Sequence, residues 1–154
     1  MLPSMLGKLL LFFHLVGAFV LVGSLTHNLV IVVYYLKNKF EKTQRAHLYT
    51  KIALITYAFE FVIGALIYPS FRVHVRAEYF DLQLPWATGL FEVKEHWAAI
   101  GLALMIVYHY VGKNIDFSEV KKMTLPYLIL GIILFLTIWY LIGAGFYLTT
   151  LKSI

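Results

Sequence analysis

Along this chain, apolar and polar positions alternate on the scale of whole helices. Four apolar blocks, Leu9 to Leu36, Ile52 to Tyr68, Trp97 to Val111 and Leu125 to Leu151, are separated by stretches that hold nearly all the charge. A bilayer core of roughly 30 Å is crossed by about 20 apolar residues of helix, and the third block reaches that length only by borrowing its flanks. The apolar residues fill these blocks instead of marking one face of an amphipathic helix. The pattern predicts an all-α fold: one integral membrane four-helix bundle over residues 1–154, with helices near 9–36, 51–68, 95–112 and 125–150. Pro69 is expected to stop the second helix, and Pro126 to open the fourth.

Composition supports a membrane protein. Hydrophobic residues make up 61% and charged residues 14%, where a soluble domain carries about 25% charged. The first block is too long for a secretory h-region of about 7–15 residues, so it reads as a retained helix. The absence of cysteine excludes disulfides, iron–sulfur clusters, thiolate zinc and covalent c-type haem. The net charge of +5 does not point to nucleic acid, because it sorts by loop. Lys37, Lys39, Lys42, Arg45 and Lys51 face Glu41 alone in the first loop, and Lys113, Lys121 and Lys122 mark the third. The second mixes Arg72, Arg76 and Lys94 with Glu78, Asp81, Glu92 and Glu95. The positive-inside rule then puts loops one and three in the cytoplasm. Both termini and loop two lie outside, with Lys8 outnumbered. The expected location is the cell inner membrane, multi-pass, with the long second loop periplasmic. The basic first loop lies where anionic lipid headgroups are met.

The candidate chemistry is carried by histidine. His14 and His27 in the first block repeat the spacing of His96 and His109 in the third. The two helices run in the same direction, so one offset registers both pairs. Two neutral imidazoles facing each other at one depth are what a six-coordinate haem b needs. His14, Gly17, Leu21, Ser24 and Asn28 share one helical face, as do His96, Ala99, Ala103 and Tyr110. Small residues on such faces suit close helix packing or space for a porphyrin. A spacing of thirteen turns the second histidine about 220° from the first. One haem through His14 and His96 is therefore simpler than a second through His27 and His109, which needs a π-bulge or kink. The bland alternative for His27 and His109 is hydrogen bonding within the bundle. Copper is disfavoured as the metal by four methionines and no cysteine.

Glu60 lies in the middle of the second block. A carboxylate there costs about 2.5–3.5 kcal/mol on insertion scales, so it should face the bundle interior and handle protons. Depth counting from Lys37 and Lys51 sets it level with His27. The plain alternative is a protonated Glu60 in one structural hydrogen bond. Loop two is too aromatic for disorder: Phe71, Tyr79, Phe80, Trp86 and Phe91 suggest an ordered interfacial lid. Trp86 and Arg76 are its candidate contact residues, and packing on its own helices is the competing reading. His74 is most simply an interfacial side chain, and Glu92 with Glu95 complements a helix N-terminus.

Phe13-His14-Leu-Val-Gly17, with His96 and Tyr108-His109-Tyr110, resembles the small four-helix haem-binding membrane proteins. That group includes the four-helix membrane protoporphyrinogen oxidase and copper-resistance-domain relatives. The resemblance covers helices one and three and implies a haem-binding role for His14. Ala98 stands where the oxidase typically carries a lysine, two residues after the helix-three histidine. Taken together, the expected function is a haem b protein passing electrons between a quinone or small reductant and a redox partner subunit. Alternatives are a protoporphyrinogen-oxidase-like enzyme, or a cofactor-free packing subunit of a larger respiratory complex. Assembly as a homo-oligomer or within such a complex fits each of these.

Overall fold

The computed structural model describes residues 4–152. It is all-helical over these residues, with no strand among them. The long helices are α1 (Ser4–Leu36), α2 (Thr43–Phe71), α4 (Pro85–Asn114) and α5 (Thr124–Leu151). A π-helical stretch, Arg72–Phe80, and the short α3 (Asp81–Gln83) join α2 to α4. Three spans, Met5–Leu36, Thr43–Gln83 and Lys121–Leu151, are long and apolar enough to cross a membrane. The remaining long helix, α4, is diluted by Glu92, Lys94, Glu95 and its two histidines.

The helices form a ring in which α1 packs on α2 and α5, and α4 packs on α2 and α5, leaving α1 and α4 on a diagonal. Short connections make sequence neighbours antiparallel. The α1–α2 turn places Asn38 in the left-handed region (φ 56°), a conformation asparagine tolerates better than most residues. The α4–α5 turn is held by Asp116, which accepts hydrogen bonds from the Ser118 amide at 2.9 Å and hydroxyl at 2.6 Å. Those bonds hold the Asp116 carboxyl below its ordinary value.

Large parts of the helix surfaces are apolar and exposed, including Phe12, Phe19, Ile55, Val62, Leu136 and Phe146. Lipid is the solvent such faces suit, and the inward faces carry small and polar groups instead. The main core runs along Leu21, Leu25, Val32, Ala53, Tyr57, Met105, Tyr108, Leu134 and Ile138.

Two expectations about the chain's course change. Pro69 does not end α2 but lies inside it, and the chain passes straight into the π-helical stretch. A wide π turn next to a missing N–H is a common way to re-route freed carbonyls. The second helix also starts at Thr43, eight residues before the expected 51. The second loop is ordered: Val75, Phe80, Ala87 and Phe91 form a second core with Leu148 of α5. Phe71 stacks on Phe91 with centroids 4.2 Å apart. Arg76 pins this cap by a 2.7 Å bond to Glu92 and a 3.6 Å ion pair with Asp81.

Candidate intramembrane acid–base site

Glu60 points into the bundle, 7% exposed, as expected of a carboxylate in a helix long and apolar enough to cross a membrane. Its partner is His14, not His27. His14 Nδ1 lies 2.6 Å from Glu60 Oε2. Either group, when it carries a proton, can offer it to the other across this distance. The N–H direction is poorly aligned with the oxygen, and among the described residues no donor reaches the buried Glu60 Oε1. The early start of α2 explains the change of partner, because it carries Glu60 past the level of His27.

Gly17, one turn after His14 on α1, makes the approach possible. A Cβ there would overlap the Glu60 carboxylate. Lys94 stands at the same level on α4 and, among the described residues, forms no salt bridge with Glu60. The Lys94 stem crosses the bare backbone of Gly145 on α5, and its ammonium stands 5.9 Å from the Phe91 ring. His14 is ten residues after Ser4, Glu60 eleven before Phe71 and Lys94 nine after Pro85. All three therefore sit roughly 15 Å along the helices from the same end of the bundle, at 1.5 Å per residue. Sequence reasoning counted Lys94 among the loop charges. The available signal was the inward register of α4: Phe91, Gly101, Met105, Tyr108 and Gly112 are buried at spacings of three, four and their sums, and Lys94 falls on that register.

The α4 face chosen from the sequence is the other one. His96, Ala99, Ala103 and Tyr110 are all exposed. His96 is not brought to His14; its Nδ1 donates to the Glu92 carbonyl at 2.7 Å. His27 is likewise exposed, donates Nδ1 to the Gly23 carbonyl at 2.7 Å and lies 5.3 Å from the Tyr49 ring. His109 meets Thr50 Oγ1 at 3.0 Å. Thr50 gives its only hydroxyl proton to the His47 carbonyl, so His109 is the donor in that contact. His27, His96 and His109 thus share one tautomer, with Nδ1 anchored.

The α1 face, by contrast, is as expected: Gly17, Leu21, Ser24 and Asn28 are buried. At the level of His27 and His109 the interior is filled by a polar pair. Tyr108 donates to Asn28 Oδ1 at 2.6 Å, and Asn28 Nδ2 donates to the Ala46 carbonyl at 3.1 Å. Tyr108 also stacks on Tyr127 at 4.2 Å. Gly17, one of the small residues that suggested room for a porphyrin, receives Glu60, and the space over Gly101, Gly112 and Gly131 is filled by Tyr57, Tyr127 and Tyr108. This interior does not fit a haem between His14 and His96. Among the described residues no cluster of three or more His, Asp or Glu is placed to hold a metal ion.

No protein-family model, curated protein or solved structure matches this chain.

Proposed function

We propose that this chain is a multi-pass inner-membrane protein whose working centre is the proton-exchanging pair Glu60–His14, with Lys94 beside it. In this reading the pair serves electron transfer between a quinone or small reductant and a redox partner. One observation carries it: a buried carboxyl 2.6 Å from an imidazole, with its second oxygen unpartnered. Reduction of a quinone takes up two electrons and two protons. A carboxyl inside the bundle that can exchange a proton with a half-exposed imidazole gives a route from the interior to the flank.

The test uses the chain extracted with its native redox partners into lipid nanodiscs, with a short-chain quinol as donor of two electrons and two protons, ferricyanide taking the electrons and the buffer taking the protons. Glu60→Gln keeps the shape and removes the acid. Turnover should fall about 100-fold or more, the usual worth of a positioned acid–base group, and a pH-dependent carboxyl band should vanish from the infrared difference spectrum. Unchanged turnover in the variant, or a wild type that exchanges no electrons with quinol, overturns the reading.

A second reading is favoured by the anchored imidazoles. Nδ1–H bonded to a carbonyl is the usual way a protein orients a ligating histidine with Nε2 outward. His27 and His96 hold that arrangement on the bundle surface. Haem b would then be held at the flank of the bundle, its second ligand coming from another chain, in keeping with the resemblance of the His14 motif to haem-binding four-helix proteins. A pyridine haemochrome assay on protein extracted with its native partners tests this. Loss of the signal in His96→Ala and His27→Ala supports it, and a haem-free preparation refutes it.

A further inference from the structure

The geometry points to a binding site for the phosphate of an anionic glycerophospholipid, in the cleft between α1 and α2 at the end where α2 begins. The cleft has a volume of about 340 Å³ and is lined by Thr26, His27, Val30, Ile31, Lys42, Arg45 and Tyr49. It is independent of the Glu60 site, which lies toward the opposite end of the same helix pair.

The lining is graded along the helices. Lys42 immediately precedes α2 and Arg45 is its third residue, so both cations stand at the mouth. Neither is in a salt bridge among the described residues. Lys42 is instead held over the Tyr34 ring, 5.5 Å from its centroid. Helix α2 starts here without a side-chain cap, so its positive end adds to the same field. Tyr49 follows about 6 Å deeper at 1.5 Å per residue, tilted against His27. Thr26 and His27 spend their donors on their own helix, at the Val22 and Gly23 carbonyls. The aliphatic floor is Val30 and Ile31, six and five residues before the end of α1 and so level with Tyr49 and nearer the mouth than His27; Val30 is 53% exposed.

A cationic mouth and, beneath it, an aliphatic floor open to the side next to Tyr49 match a phosphate and the start of an acyl chain in that order. Free phosphate would use the mouth and leave the apolar floor uncovered. That is why the lipid is the occupant chosen. Anionic headgroups gain about 1 kcal/mol per nearby Lys or Arg, which at about 1.4 kcal/mol per decade is roughly fivefold per charge.

Native mass spectrometry of the full chain, released from detergent in the presence of phosphatidylglycerol or phosphatidylcholine, reads the site directly. The wild type should retain phosphatidylglycerol in preference. Lys42→Gln with Arg45→Gln should weaken that retention about 25-fold, being two charges at roughly fivefold each. Lys37→Gln with Lys39→Gln removes the same charge outside the cleft and should change it little. Equal retention of the two lipids, an equal loss in both double variants, or displacement of the lipid by millimolar inorganic phosphate each overturns the proposal. If the cleft variant does not fold, a photoreactive phosphatidylglycerol on the wild type decides. Adducts within residues 26–31 or 42–49 support the site, and adducts confined elsewhere overturn it.

Discussion

Glu60 and Gly17 are one feature seen from two helices. The carboxylate occupies the space a side chain at residue 17 would take, so α1 and α2 close only with glycine there. Gly23, two turns further along α1, has no atom within 4 Å of a Cβ position. The same substitution should therefore act in opposite directions. Gly23→Ala should stabilise by about 0.5–1 kcal/mol through lost chain entropy. Gly17→Ala should destabilise by about 1–3 kcal/mol through overpacking. Thermal unfolding in one detergent compares them, and a matching sign at both positions contradicts the packing. Tyr108 offers a second residue-level test. Its hydroxyl is the donor given to fully buried Asn28 Oδ1. Tyr108→Phe leaves that oxygen unsatisfied and should cost about 1–3 kcal/mol. A melting temperature equal to wild type would mean the bond contributes nothing.

At the scale of elements, the π-helical stretch and α3 convert a long connection into a cap. The aromatic content of loop two predicted order, and the second core of Val75, Phe80, Ala87, Phe91 and Leu148 is that order. The contact residues divide. Arg76 is engaged within the chain by Glu92 and Asp81, while Trp86 stays half exposed beside Tyr147. External trypsin on intact membranes should cut slowly at Arg72 and Arg76 in the wild type. Glu92→Gln should speed that cleavage several-fold, since Arg76 loses its closer partner. Rapid cleavage of the wild type would show the cap to be loosely held.

The whole molecule has its Lys- and Arg-rich connections at one end of the bundle and the capped, mixed-charge connection at the other. Topology is testable without preparatory mutagenesis, because the chain has no cysteine. Lys39→Cys should be shielded from a membrane-impermeant maleimide in intact cells, and Glu78→Cys should be labelled. The reverse result inverts the orientation and moves the Glu60 site toward the cytoplasmic side.

Hydrophobic block length alone determined the number of long helices, and the cost of a carboxylate on an apolar outer face predicted that Glu60 faces inward. Both are properties of a segment and its solvent, so they are legible in one dimension. The inward face of α1 was legible too, since small and polar residues mark it without ambiguity. The face of α4 was not. His96 with two alanines and Lys94 with Phe91 and Gly101 are rival registers about 200° apart, and only packing against α2 and α5 chose the second. Nor could depth be counted across a loop whose helix began eight residues early, which is why Glu60 was matched with His27 in place of His14. Partners across helices depend on where each helix starts and how it is rotated, and those quantities are settled by the fit of side chains into neighbouring backbones. Gly17 beneath Glu60 and Gly145 beneath Lys94 are where that fit decides the site.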